Sequence, residues 1–263
     1  MDSASPDPIR EETGKPGPSP VTVFVHSRNR PLYLWASLDS LYRGTAHPHR
    51  FVLVDMASDD PLVRQVVAGF ERRAMFAELV WVPRNTALDF WAVLWGRVPG
   101  IGPYFAHVET DVVVEATEPC WLSRLAALMD ANPRLAMLGA AIDQSDFVSL
   151  DEARWIEPQA DEARLNDLIK FASPERGQDL SAAAGLSVIS PYSPAGRILL
   201  VRTDALVEVG AADDGGLHAK FIAAGYQTGI ATEVRHRHLS LLHVYDYPQY
   251  NYRLRDAYAY GQV

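Results

Sequence analysis

The sequence has a single cysteine, no long apolar segment and no signal for export. Cys120 has no partner for an intramolecular disulfide, which excludes a small secreted fold stabilised by disulfides. The most apolar stretch, 122–142, is interrupted by charged residues and a proline, so nothing predicts a membrane-spanning helix of about 18 residues. The N-terminus is acidic and lacks a basic region followed by an apolar core. We therefore expect a cytoplasmic protein.

Positive charge is also in short supply. The formal net charge is −9 and the isoelectric point is near 5.3, so the field around the molecule opposes binding to nucleic acid and to anionic membranes. The composition, with 48% hydrophobic residues, is that of a folded globular protein. These properties favour an enzyme or binding domain for small molecules over a nucleic-acid-binding protein.

Apolar, β-branched segments alternate with helical patterns along most of the chain. Strands are predicted to begin at Val21, Phe51, Leu79 and Tyr104, and a further strand is predicted over 228–234. Helices are predicted over 63–76 and from Pro119 onward. This alternation predicts an α/β fold with a mostly parallel, Rossmann-like central sheet and helices on both faces.

The chain is predicted to form one domain after a disordered leader. Residues 1–20 contain five prolines among polar residues and have no apolar periodicity. Residues 21–263 then form a single domain with two halves, 21–142 and 143–263. The strand signals weaken over 143–181, where we expect a variable excursion.

Acidic residues follow two of the predicted strands directly. Asp55 follows the second strand, and Glu109 and Asp111 follow the fourth. Ligands of parallel sheets bind beyond the carboxyl ends of the strands, and residues two apart in extended chain point to one side. Carboxylates are the ligands that Mg²⁺ and Mn²⁺ prefer, with phosphate oxygens and water completing the coordination. A solvated turn explains the same three-residue pattern, and both interpretations stay open.

The order of several motifs resembles the family 2 glycosyltransferases with the GT-A fold. The opening strand leads to Asn29-Arg30-Pro31, and the second strand leads to Asp55 with Ser58 and Asp60, as in that family. The Glu109-Thr110-Asp111 segment lies where the family has its metal-binding Asp-x-Asp motif. The resemblance implies a GT-A-like fold and transfer of a sugar from a nucleotide-diphospho-sugar donor to a hydroxyl acceptor, with Mg²⁺ or Mn²⁺.

Three further motifs extend the resemblance to about residue 243. The small-residue turn 193–196 resembles the turn beneath the family's acceptor site, and Asp213-Asp214 aligns with its Glu-Asp pair. The segment 234–240 contains His236 and His238, where the family often has a metal-binding histidine.

The sequence also departs from the family's pattern. Met56 replaces the usual second aspartate, and Gly216 replaces a later one. The arginine that the family carries on the third helix is absent here. We therefore expect Arg84 and Asn85, at the end of the third strand, to replace it in contacting phosphate.

The resemblance assigns each candidate residue a role. Asp214, with Asp213 beside it, is the expected general base, and direct displacement by the acceptor would invert the anomeric centre. The expected metal ligands are Asp111, Glu109, His238 and His236. Asp55 would accept hydrogen bonds from the nucleoside base. The remaining expected donor contacts are Ser27, Asn29, Arg84, Asn85, Glu109, Thr110 and Gly196.

Structural alternatives accompany these assignments. Asp55 could simply end a strand, Asp213-Asp214 could form an acidic turn, and His236 and His238 could be core-edge histidines. His107, inside a strand, is expected to be buried with its ring nitrogens hydrogen-bonded.

Other functions and partners also stay open at this stage. A sugar-nucleotide nucleotidyltransferase or a catalytically inactive nucleotide-binding domain of the same fold would give a similar pattern. The tyrosine-rich segment 245–260 could stack on an acceptor sugar or form a homo-oligomer contact.

Overall fold

The computed structural model describes residues 18–143, 150–163, 165, 197–210, 212 and 214–239. The expected disordered leader up to residue 17, most of the expected excursion over 143–181 and the tyrosine-rich segment lie outside these residues. Among the helices of the described ranges, none is both long enough and apolar enough to cross a bilayer.

Helices and strands alternate along the described chain. The strands are β1 (Val21–Ser27), β2 (His49–Met56), β3 (Phe76–Val82), β4 (Tyr104–Glu109), β5 (Val112–Val114), β6 (Leu135–Ile142), β7 (Ile198–Arg202) and β8 (Gln227–His238). The helices are α1 (Pro31–Gly44), α2 (Pro61–Glu71), α3 (Ala87–Trp95), α4 (Trp121–Ala131), α5 (Leu150–Ile156), α6 (Thr203–Val209) and α7 (Asp214–Ala223).

Within the described ranges, eight strands form one mixed sheet in the order β3-β2-β1-β4-β7-β6-β8-β5. Strands β1 to β4 are parallel to one another, and β8 is parallel to β6. Strand β7 runs antiparallel to β4 and β6, and the short β5 runs antiparallel to β8. The predicted α/β class with a mostly parallel central sheet is confirmed.

Helices pack on both faces of the sheet because its inner strands are apolar on both sides. Val23 and Val25 of β1 belong to a core cluster shared with α1, α2 and α4. Phe24, between them, points to the opposite face and packs in a second cluster with α3, α6 and α7. The alternation of side chains along each strand thus produces a three-layer arrangement.

Two predicted helix boundaries are wrong. The second helix ends at Glu71, not at residue 76, because Ala74 adopts a left-handed conformation with φ 54° and reverses the chain. Phe76 therefore begins β3. The fourth helix begins at Trp121, after Cys120 as N-cap, and Pro119 lies outside it.

The last strand is longer than predicted. A strand is expected over 228–234, whereas β8 continues to His238 and pairs with β5. This extension places His236 and His238 opposite β5, whose first residue, Val112, directly follows Asp111 in the chain.

Candidate functional site

The first two motifs meet at one edge of the sheet. In the parallel register Ser27 at the end of β1 pairs with Asp55 of β2, and His26 pairs with Glu109 of β4. The two carboxylate-bearing strand ends therefore lie on either side of the end of β1, separated by two strand spacings of about 5 Å each.

A cavity of about 230 Å³ opens at this edge. It is lined by His26, Arg28, Arg30, Asn85, Glu109, Thr110 and Asp111. Four of these residues are expected from the sequence to contact donor or metal, and they come from two different loops. The other three, from the end of β1 and the turn after it, were not predicted from the sequence to lie at the site. Arg30 belongs to the Asn-Arg-Pro motif, and this position in the motif is the signal from which its place at the cavity could have been predicted.

Asn29 joins the turn after β1 to the loop between β2 and α2. Its backbone N–H donates to the Ser58 hydroxyl at 2.7 Å, and its side-chain oxygen accepts from the backbone N–H groups of Asp59 at 3.0 Å and Asp60 at 3.2 Å. The side chain is buried, with 3% of its surface exposed. Asn29 lies between two residues that line the cavity, Arg28 and Arg30, and its own contact with a donor stays a prediction.

Asp55 is also buried, with 1% of its surface exposed. One carboxylate oxygen accepts from the Ser58 backbone N–H at 3.0 Å, and the other accepts from the Ser58 hydroxyl at 2.6 Å. These bonds order the loop between β2 and α2. The neighbouring Ser27 is fully buried at the end of β1. Recognition of a nucleoside base by Asp55 stays a prediction.

The carboxylates at the end of β4 each face an arginine. Arg30 Nη1 lies 3.3 Å from Asp111 Oδ2, and Arg197 Nε lies 3.9 Å from Glu109 Oε2. Arg197 Nε also donates to His238 Nε2 at 2.6 Å. Positive charge from two separate segments therefore surrounds the expected metal-binding residues.

His236 and His238 lie side by side in β8, opposite Val114 and Val112 of β5. Both are 1% exposed. Burial lowers the pKa of His236 to about 3 and that of His238 to about 4, although the charge of Asp111 acts in the opposite direction on both. Both imidazoles are thus neutral near pH 7, which is the form that binds metals.

The described residues fit a divalent cation that is shared with a ligand. No three His, Cys, Asp or Glu side chains within the described ranges are arranged to hold a metal ion by themselves. Mg²⁺ usually takes one or two carboxylates from protein and the rest of its oxygens from substrate phosphates and water. Asp111, with Glu109 beside the same cavity, supplies that kind of partial site.

An aromatic cluster packs around His26, one of the residues that line the cavity. His26 stacks on Phe90 of α3, with ring centroids 4.6 Å apart, and His107 lies 4.8 Å from the same ring. Burial lowers the pKa of His26 to about 4 and that of His107 to about 3. The expectation that the nitrogens of His107 are hydrogen-bonded is wrong within the described part of the chain, because the surrounding side chains are aromatic.

The structure leaves several expected site residues apart from the cavity or outside the description. Arg84 is exposed and pairs with Asp89 of α3 at 2.8 Å, and it is not among the residues lining the cavity. Asp214 is the first residue of α7, but its side chain is not described. Gly196 and Asp213 lie outside the described residues. Their roles stay predictions.

No protein-family model and no curated protein matches the sequence. Solved structures do match the fold. A mannosyltransferase from Pyrobaculum calidifontis, PcManGT, in complex with GDP-Man and Mn²⁺, has a TM-score of 0.58 at 18% identity and covers 92% of this chain and 62% of its own. GalNAc-T7 with UDP, GalNAc and Mn²⁺ has a TM-score of 0.56 at 11% identity and covers 83% of this chain and 43% of its own.

A third similar structure is S. aureus TarS, with a TM-score of 0.51 at 16% identity over 83% of this chain and 36% of its own. The chain therefore spans between about a third and two thirds of the length of these proteins. At these identities the likeness establishes the fold. The chain has the GT-A fold of glycosyltransferases.

Proposed function

We propose that the chain transfers a sugar from a nucleotide-diphosphate donor to a hydroxyl acceptor. One observation carries the proposal: at the carboxyl edge of a GT-A sheet, the carboxylates of Glu109 and Asp111 and the guanidinium groups of Arg28 and Arg30 face one cavity. This combination suits a ligand that brings both a cation and an anion. Among the similar structures, PcManGT contains GDP-Man and Mn²⁺, and GalNAc-T7 contains UDP and Mn²⁺.

The donor diphosphate would lie against this mixture of charges. Asp111 and Glu109 would hold Mn²⁺ or Mg²⁺ together with the diphosphate. His238 would become a further ligand if its Nε2 atom lost the hydrogen bond from Arg197. A bound cation supplies Lewis-acid stabilisation of the leaving diphosphate. The guanidinium groups of Arg28 and Arg30 and the amide of Asn85 would donate hydrogen bonds to phosphate oxygens.

The acceptor would be activated by a carboxylate from the second half of the chain, acting as a general base. The acceptor oxygen forms a bond to the anomeric carbon while the bond from that carbon to the phosphate oxygen breaks. The hydroxyl proton passes to the carboxylate of Asp214, with Asp213 beside it in sequence. A single displacement of this kind inverts the anomeric centre.

Two other functions make different predictions. A nucleotidyltransferase would release pyrophosphate from a nucleoside triphosphate and a sugar 1-phosphate, yet the first turn, 27–31, lacks the glycine-rich phosphate loop of such enzymes. A catalytically inactive binding domain is favoured by the arginines that contact Asp111 and Glu109. It would bind nucleotide without consuming any sugar nucleotide.

A thermal-shift panel tests the donor site directly. UDP, GDP and dTDP are each added with and without Mn²⁺ to the wild-type protein and to Asp111→Ala. Ligand at a hundred times its Kd stabilises the folded state by about 2.7 kcal/mol, which raises Tm by roughly 5 °C or more. We expect at least one nucleotide to do so in the wild type with Mn²⁺ and none in Asp111→Ala.

The matched control for this panel is Asp39→Ala, which removes an acid of similar exposure, 19% against 15% for Asp111, that pairs with Arg43 on α1 outside the cavity. Its shift should equal that of the wild type. A full Mn²⁺-dependent shift in Asp111→Ala would refute the role of this carboxylate, and no shift with any nucleotide would refute the donor site.

A further inference from the structure

The contact between Arg30 and Asp111 is suited to exchange. It joins one nitrogen and one oxygen at 3.3 Å. The Arg30 side chain is 24% exposed to solvent and the Asp111 side chain is 15% exposed. A forked pair of charge-assisted hydrogen bonds would be shorter, near 2.8 Å, and would use two nitrogens. Single contacts between partly solvated charges are weak, so a stronger acceptor can take the guanidinium.

The backbone fixes Arg30 at the cavity whatever its side chain contacts. Asn29 and Arg30 both adopt left-handed conformations, with φ 48° and φ 53°. The hydrogen bonds of Asn29 to the β2–α2 loop hold this arrangement, and Pro31 begins α1 directly after it. Rotation of the Arg30 side chain can therefore change its partner without moving the loop.

A second guanidinium in the cavity has a donor that the described residues do not use. Arg28 Nε is buried and has no hydrogen-bond partner among them. Arg28 and Arg30 line the same cavity as Glu109 and Asp111. An unused donor beside carboxylates indicates a ligand with acceptor oxygens of its own, and the two phosphates of a nucleoside diphosphate supply such oxygens.

We infer that Arg30 is the resident counter-ion of Asp111 and moves to the donor diphosphate when a divalent cation binds to that carboxylate. The inference rests on the proposed function. With Arg30 in place, its positive charge repels a cation approaching Asp111. A diphosphate offers the guanidinium two oxygens for a forked contact, which frees the carboxylate. Cation and nucleotide therefore bind cooperatively, and each strengthens the binding of the other by the same factor.

Mn²⁺ binding with and without nucleotide tests the exchange. Free Mn²⁺ is measured by its electron paramagnetic resonance signal in titrations of wild type and Arg30→Gln, alone and with the UDP or GDP that stabilises the wild type. Arg30→Gln should bind Mn²⁺ alone about fivefold more tightly, because the competing charge is gone. Its affinity for the nucleotide at saturating Mn²⁺ should fall by about tenfold or more. A folding defect would instead weaken the binding of both Mn²⁺ and the nucleotide.

Two variants complete the experiment. Arg30→Lys keeps the charge without the fork, so it should restore the weak binding of Mn²⁺ alone but recover nucleotide affinity only in part. Arg97→Gln is the matched control, since Arg97 is similarly exposed at 28% and pairs with Glu78 outside the cavity. It should behave as wild type in both titrations.

The outcomes separate the inference from the proposed function. If the wild type binds a nucleotide with Mn²⁺ but Arg30→Gln binds Mn²⁺ alone no more tightly, the exchange is refuted and the proposed function stands. A loss of both affinities in Arg30→Gln also refutes the exchange. If the wild type binds no nucleotide in the presence of Mn²⁺, both ideas fail.

Discussion

Two consecutive residues in the turn after β1, Asn29 and Arg30, have a left-handed backbone, and Arg30 lines the cavity. Such a conformation is uncommon outside glycine and costs roughly 1–3 kcal/mol per residue. Asparagine tolerates it better than most residues, and its amide oxygen accepts two backbone hydrogen bonds from the neighbouring loop. The strain is therefore offset at Asn29 and positions Arg30 beside Asp111.

The Ser58 hydroxyl connects this strained turn to Asp55, and its removal should destabilise the fold. Ser58→Ala loses a donor to the buried Asp55 carboxylate at 2.6 Å and an acceptor for the Asn29 N–H at 2.7 Å. We expect the free energy of unfolding to fall by about 1–3 kcal/mol in urea denaturation.

The control for Ser58→Ala is Thr117→Ala, whose hydroxyl bonds the carbonyl of Pro119 at an exposed position. It should cost less than about 0.5 kcal/mol. Equal losses in the two variants would show that the connection between the loops adds no stability.

At the scale of elements, strands β1, β4 and β8 carry histidines in poorly solvated positions: His107, His236 and His238 are buried, and His26 is half-buried. Burial lowers the pKa values of His26, His107, His236 and His238 to between about 3 and about 4. In the unfolded chain the same groups titrate near pH 6.5. Between these values the unfolded state binds more protons than the folded state, so stability falls as the pH drops from 6.5 towards 4.

This proton linkage predicts a pH-dependent free energy of unfolding. Each buried histidine should contribute up to about 1.4 kcal/mol per pH unit to the decline, with the full slope reached near pH 5. His107→Met keeps a similar volume in the aromatic cluster but cannot be protonated. Urea denaturation at pH 7, 6 and 5 without metal should give a shallower decline for this variant. An identical pH dependence in the two proteins would contradict the burial of a neutral His107.

At the scale of the whole molecule, the sheet joins the two halves of the chain. Strand β4 of the first half pairs with β7, which leads through α6 to Asp214 at the start of α7. The proposed function assigns donor binding and acceptor activation to residues from different halves. Substitution at Asp214 should separate them.

Asp214→Asn should bind nucleotide and Mn²⁺ as the wild type does but lose turnover by about 10²-fold or more, because the amide cannot accept the acceptor's proton. Nucleotide-induced thermal shift measures the first property, and sugar transfer from the stabilising nucleotide's sugar conjugates measures the second. Asp204→Asn, an acid in the first turn of α6, is the control and should retain activity. Full activity of Asp214→Asn would show that another residue is the general base.

The sequence by itself determined the fold class and the residues at the strand ends. Alternating apolar segments predict strands and helices because periodicity is local, and parallel strands bring Asp55, Glu109 and Asp111 to one edge. The reversal of β7 and the length of β8 were not predicted, since they depend on pairing between segments distant in sequence. The end of α2 was missed because a left-handed Ala74 leaves no trace in composition.

Only the tertiary structure decided which charges face one another. Arg30 and Asp111 are 81 positions apart, and Arg197 and His238 are 41 apart, so no local pattern could pair them. Spacing along a strand identifies which side chains share a face, but the charge balance of a cavity depends on loops that pack together from across the chain. The tertiary structure therefore shows what the sequence could not, namely that the carboxylate of Asp111 is paired with the guanidinium of Arg30.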